Sequence, residues 1–176
     1  MPTRPDMPLA IVVMGVSGAG KTTVGLRLAE AMGVRFVEGD DLHSPEARAK
    51  MAAGHALTDD DRWPWLDRVG AALAGDLAAG RGVVAACSAL RRAYRDRLRA
   101  AVGPPLRFVH LVADAGAMRA RLAARKGHYM PASLVDSQFA TLEDAAGEAD
   151  VLALPADGDL ATEIPELVER LRAGAP

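Results

Sequence analysis

The residues best equipped for chemistry form one stretch near the start of the chain, Gly15-Val16-Ser17-Gly18-Ala19-Gly20-Lys21-Thr22. It satisfies G-x-x-x-x-G-K-[ST] at every position, the pattern of a loop that cradles nucleotide phosphates. The residue types explain themselves. Glycines let backbone N–H groups curl inward and approach phosphate oxygens closely. A helix opening at the loop adds its unpaired N–H groups and its positive end. Lys21 brings a full charge to the β- and γ-phosphates, and the Thr22 hydroxyl can ligate Mg²⁺. A glycine-rich turn that binds nothing is the plain alternative. The flanks argue against it: Leu9 to Met14 is an unbroken apolar run, and Val24, Leu28, Ala31 and Met32 recur at helical spacing behind Lys21.

A second set of chemically able residues follows the next strand, in Glu38-Gly39-Asp40-Asp41-Leu42-His43. Carboxylates just past a strand end lie where open α/β sheets bind ligands. Two readings stand side by side. The acids serve Mg²⁺ or an acceptor hydroxyl, or they form a polar turn before a helix capped by Asp41 or Ser44. Further on, Cys87-Ser88-Ala89-Leu90-Arg91-Arg92 closes another strand, and Arg91 and Arg92 are near enough to its tip to meet an anionic substrate. Arg95, Arg97 and Arg99 continue that helix as a charge run, read for Arg97 and Arg99 as a solvated face. Cys87 reads as a small buried residue, since no activating partner is identifiable.

The elements that must position these residues alternate along the chain. Strands are expected at Leu9 to Met14, Val34 to Glu38, Val83 to Ala86, Leu106 to Val112 and Val151 to Leu154. Helices are expected from Lys21, over Pro45 to Ala53, from Thr58 to about Ala79 with Pro64 in the first turn, and behind Arg91. Others follow from Asp114 through Leu122, over Ser133 to Leu142, and over Asp159 to Arg172. Alternation of this kind implies an α/β fold: three layers, with a five-stranded parallel sheet covered by helices on both faces. The layout resembles kinases of the nucleoside-monophosphate type, which implies a phosphate-loop kinase fold with strand order 2-3-1-4-5. Arg119, Arg121, Arg125 and Lys126, followed by Gly127-His128-Tyr129-Met130-Pro131, read as the root of a mobile lid spanning about 124–140.

Composition narrows the function. The chain has 176 residues, half of them hydrophobic but only 4% aromatic, so its core is aliphatic. The length suits one domain, 1–176. A net charge of -2 gives no reason to expect nucleic acid or an anionic membrane as partner. No apolar run is long enough to span a bilayer, and Met1 to Pro8 has no signal-like core. A single cysteine precludes an internal disulfide and fits a reducing cytoplasm.

With these residues in view, the chain resembles the gluconokinases from about Leu9 to Leu142. The likeness rests on five blocks in order. They are Gly15 to Thr22; Gly39-Asp40-Asp41-Leu42-His43 with Lys50-Met51 and Gly54; Leu57-Thr58-Asp59-Asp60-Asp61-Arg62 with Pro64-Trp65-Leu66; Cys87 to Arg92 with Tyr94-Arg95-Asp96; and Arg125 to Pro131 continuing to Ser137-Gln138-Phe139 and Thr141-Leu142-Glu143. It departs from the family at Glu38, often aspartate, and at Ser44 and Ala47, often proline and asparagine.

The resemblance implies ATP-dependent phosphorylation of D-gluconate at its 6-hydroxyl, with Mg²⁺, in a cytoplasmic homodimer. It implies Lys21, Arg121 and Arg125 as the charge balance for the migrating phosphoryl group and Asp40 as holder of the acceptor hydroxyl. Glu38 is expected to orient a Mg²⁺-bound water. Arg62, Arg91 and His43 are the candidates for gluconate. His43 and His128 stand open between substrate contact and structure. Rival readings are a shikimate or nucleoside-monophosphate kinase on the same fold, or a guanine-nucleotide switch. The blocks around Asp59 and Cys87 oppose the first. The switch needs an Asn-Lys-x-Asp motif, and the chain contains no asparagine.

Overall fold

The computed structural model describes residues 7–124 and 132–174. Its elements run β1 (Ala10–Met14), α1 (Lys21–Met32), β2 (Arg35–Glu38), a 3₁₀ turn (Gly39–Leu42), α2 (Pro45–Ala52), α3 (Asp59–Ala78), β3 (Val83–Ala86), α4 (Arg92–Val102), β4 (Leu106–Val112), α5 (Ala115–Ala124), α6 (Ala132–Thr141), β5 (Val151–Pro155) and α7 (Leu160–Ala173). The five strands form one sheet in the order β2-β3-β1-β4-β5, and all four pairings are parallel. The expected order and alternation are therefore the observed ones.

Every residue of β1 is fully buried, which is why its sequence is continuously apolar rather than alternating. Its side chains still divide by face. Ile11 and Val13 join Leu28 of α1, Met118 of α5, Val135 of α6 and Leu167 of α7. Ala10, Val12 and Met14 join Trp65, Leu66, Val69 and Leu73 of α3 and Tyr94 and Leu98 of α4. β1 has β3 on one side and β4 on the other. The chain thus moves to one side of β1 for β2 and β3, and to the other for β4 and β5. That reversal opens a crevice over the carboxyl end of β1, the place where such sheets hold ligands.

Two expectations need correction, and one open alternative is settled. Pro64 lies in the second turn of α3, inside the helix; its missing N–H costs one helical bond, and the cap at the helix start offsets this. Thr58 supplies that cap in a reciprocal capping box with Asp61. Arg99 is no solvated residue, since its side chain is only 24% exposed and it binds Asp96, Glu148 and Asp150. Arg95 in the same run is fully buried. Of the two residues offered as caps for the helix after His43, Ser44 takes the role, accepting from the Ala47 N–H at 3.1 Å.

Candidate active site

The phosphate loop joins β1 to α1. Gly20 takes a left-handed conformation (φ 96°) directly before the helix, and Gly15 sits at φ 145° where a Cβ would stand 3.0 Å from the Leu111 carbonyl oxygen. Only glycine meets both demands without strain. The Gly15 N–H donates to the Ser88 carbonyl at 3.2 Å, tying the loop to the segment after β3. Lys21 folds back and donates to the Val16 carbonyl at 3.0 Å. Burial pulls its ammonium pKa below the ordinary 10.5, while the charges of Asp40 and Glu38 push it back up. The Thr22 hydroxyl donates to Glu38 Oε2 at 2.5 Å, so the tip of β2 reaches the start of α1. The other Glu38 oxygen accepts from the Asp40 N–H at 3.3 Å.

The turn bearing Asp40 and His43 is braced from several sides. Gly39 packs so closely that a Cβ there would lie 2.1 Å from the Ala86 carbonyl oxygen. The Trp65 indole donates to the Gly39 carbonyl at 2.7 Å. Arg48 and Arg68 donate to the carbonyls of Asp41 and Leu42 at 2.5 and 2.6 Å. This fixed backbone leaves the Asp40 side chain 77% exposed while the His43 side chain is nearly closed off at 4%. His43 stacks on Trp65 with ring centroids 4.2 Å apart. Burial lowers its pKa from 6.5, and the nearby Arg68, Arg48 and Arg62 add to the shift against the opposing pull of Asp40. The ring is therefore neutral at neutral pH. Its buried Nδ1 has no hydrogen-bond partner among the described residues.

Lys21, Asp40, His43 and Arg62 line one open cleft, together with Ser17, Trp65, Ser88 and Gln138. Arg62 forms one wall, donating to the Tyr94 hydroxyl at 3.0 Å. Arg91 sits behind it, bound to Asp59 at 3.1 Å. Arg92, also considered for an anion, instead faces Asp96 at 3.8 Å with its side chain 69% exposed. Arg121 lies at the opposite end, donating to the Gly18 carbonyl of the phosphate loop at 3.1 Å. Arg125 and His128, with the rest of 125–131 in the expected lid, lie outside the described residues. Cys87 is buried and its thiol is pushed up to about 12, which denies it a nucleophile's role.

Several contributors stand in the blocks quoted from sequence without a role being read for them. Trp65 has the spacing of an ordinary core residue of α3. Gln138 of α6 accepts the Ser17 N–H of the phosphate loop at 2.6 Å. Arg95 of α4 holds the segment after β3 from within. It donates to the carbonyls of Ala89 and Leu90 at 3.0 and 3.1 Å, and its charge is met by Glu148 at 2.5 Å. Ala89 there has φ 44°, unusual outside glycine. No periodicity distinguishes that arginine from its exposed neighbours; only the fold does.

A glycine-lined cradle with an inward lysine, facing a carboxylate across a cleft at the switch point of a parallel sheet, defines a phosphate-loop kinase of a small molecule. Comparison with known proteins agrees. Residues 11–148 match a family model described as an AAA domain. The chain is 44% identical over 166 residues to the gluconokinase of Gluconobacter oxydans, covering 94% of this chain and 93% of that one. A crystal structure of a gluconokinase from Sinorhizobium meliloti superposes with a TM-score of 0.81 at 47% identity, over 96% of this chain and 91% of that one. An unliganded sugar kinase from Janibacter gives 0.86 at 41% identity, over 96% and 99% of the two chains. The chain belongs to the gluconokinase family.

Proposed function

We propose that the enzyme transfers the terminal phosphoryl group of ATP to the 6-hydroxyl of D-gluconate. The family supports the reaction, and one observation carries the chemistry: Lys21 and Asp40 line the same cleft, with Arg62 as a further wall. Phosphoryl transfer needs alignment and charge neutralisation more than covalent catalysis. Loop N–H groups and Lys21 hold the β- and γ-phosphates. Arg121, already at Gly18, balances charge from the other side of the loop, and Arg125 is assigned the same task.

Asp40 holds the acceptor hydroxyl in line. A carboxylate is a weak base beside an alcohol, so it orients first and takes the proton only as the new bond forms. Arg62 meets the substrate carboxylate with Arg91 behind it, and neutral His43 meets a substrate hydroxyl from the cleft wall; His128 is assigned to the same substrate. Mg²⁺ bound with the nucleotide would supply charge neutralisation at the phosphates. The donor set fits a small hard ion that keeps most of its waters: the Thr22 hydroxyl as direct ligand and Glu38, 2.5 Å from it, as partner to a bound water. Among the described residues no helix is long and apolar enough to cross a membrane. In this reading the enzyme works in the cytoplasm as a homodimer, supported by resemblance to related kinases; sedimentation equilibrium tests the stoichiometry.

A coupled assay of ADP release tests the reaction. D-gluconate accelerates ATP consumption and its 6-deoxy analogue does not. Equal rates with both, or hydrolysis indifferent to any acceptor, would remove the sugar-acid kinase reading. Arg62→Ala raises the KM for gluconate, and an unaltered KM would free Arg62 from that role.

A further inference from the structure

We infer that Tyr94 is a positioning residue for substrate selection, its hydroxyl aiming the Arg62 guanidinium at the carboxylate of the acceptor. The inference rests on the sugar-acid reading and adds to it a residue that does not itself border the cleft. Tyr94 lies on α4 with 1% exposure. Its hydroxyl donates its one proton to Asp59 Oδ1 in a short hydrogen bond. The oxygen is left as an acceptor, and Arg62 Nη1 donates to it at 3.0 Å. A guanidinium can only donate and a carboxylate can only accept, so the relay has one possible direction, from Arg62 through Tyr94 to Asp59. Burial and Asp59 both raise the phenol pKa, which keeps that proton in place.

The relay engages one nitrogen of Arg62. Among the described residues the Arg62 side chain makes no other hydrogen bond, and its ion pair with Asp59 at 3.7 Å uses the same nitrogen. Its side chain is only 15% exposed, yet it lines the cleft. A guanidinium so confined, with Nε and Nη2 unclaimed by any described residue, has the fork that matches a carboxylate through two parallel bonds. Both arginines also lie over the Tyr94 ring, Arg62 at 5.5 Å and Arg91 at 5.9 Å from its centroid. Asp59 binds Arg91 as well, through its other oxygen and not through the phenol. The ring is held independently by the edge of Trp63, 5.4 Å between centroids. Tyr94→Phe therefore deletes the relay and keeps the packing.

Steady-state kinetics of the full chain test this. In Tyr94→Phe the KM for D-gluconate rises about tenfold, the effect of one hydrogen bond to a charged group, while kcat and the KM for ATP hold. Arg62→Ala raises the gluconate KM at least as far, and adding Tyr94→Phe to it has no further effect, because the phenol acts only through that arginine. An unchanged gluconate KM in Tyr94→Phe, a loss confined to kcat, or additive effects in the double variant each overturn the inference while leaving the kinase assignment intact. Absence of gluconate turnover in the unaltered enzyme overturns the assignment and the inference together.

Discussion

Replacing Glu148 by glutamine removes the counter-charge of a guanidinium that has no access to water. Glu148, 7% exposed, accepts from Arg95 at 2.5 Å and also binds Arg99; Arg95 is 0% exposed. Those two arginines outweigh burial and hold the Glu148 carboxyl at about 2, against an ordinary 4.5. A carboxyl depressed that far on folding contributes about 3 kcal/mol at neutral pH. Mutational experience with one partner removed from a buried ion pair gives about 3–5 kcal/mol, so two independent routes agree. For a chain of this length, Glu148→Gln should lower Tm by about 6–12 °C at pH 7. The pH dependence has a definite sign. Because folding lowers this pKa, the contribution is complete above pH 4.5 and is lost as pH falls toward about 2. The gap between parent and variant, followed by urea unfolding from pH 7 to pH 3, should therefore narrow with acidification. A gap that stays constant over that range, or one under about 0.5 kcal/mol at pH 7, refutes the ion-pair account.

Asp40→Asn should cut kcat about a hundredfold or more, with calorimetric ATP binding nearly unaltered; undiminished turnover removes Asp40 from the mechanism. Gly39→Ala drives a Cβ to 2.1 Å from a backbone oxygen, and a loss above about 2 kcal/mol is expected in urea unfolding; an unmoved midpoint means the turn can shift after all. Gln138→Ala frees the Ser17 N–H that the side chain now occupies at 2.6 Å. Nucleotide binding without acceptor should tighten up to about fivefold in titration calorimetry, whereas weakened binding marks Gln138 as a nucleotide contact.

The architecture was legible because its cues are local and repeated. β1 announces itself by six consecutive apolar residues between Pro8 and Gly15, as a parallel strand buried on both faces requires. The phosphate loop was legible for the same reason: its motif is contiguous. What could not be read was charge placed by folding. Arg95, Arg97 and Arg99 look alike along the chain. Arg95 turns into the interior to reach Glu148, 53 residues away, Arg97 lies over Trp63 with Asp67, and Arg99 joins Asp150. Asp59 was equally opaque. As one of three acids at a helix start it suits the dipole, and nothing nearby in sequence reveals that Tyr94 and Arg91 will close on it. Pro64 was misplaced because the true cap, Thr58, lies six residues upstream.

The aliphatic core carries one more consequence. The chain has only two indoles, and both stand on the side proposed for the acceptor: Trp65 against His43 in the cleft, and Trp63 beneath Arg97 and beside Tyr94. Intrinsic fluorescence of the unlabelled protein is therefore a reporter of one half of the reaction. A sugar acid arriving beside Trp65 changes the emission directly, whereas a nucleotide settling on the glycine cradle is visible only through what it does to its neighbour. Order of substrate addition can be followed optically, with no engineered probe.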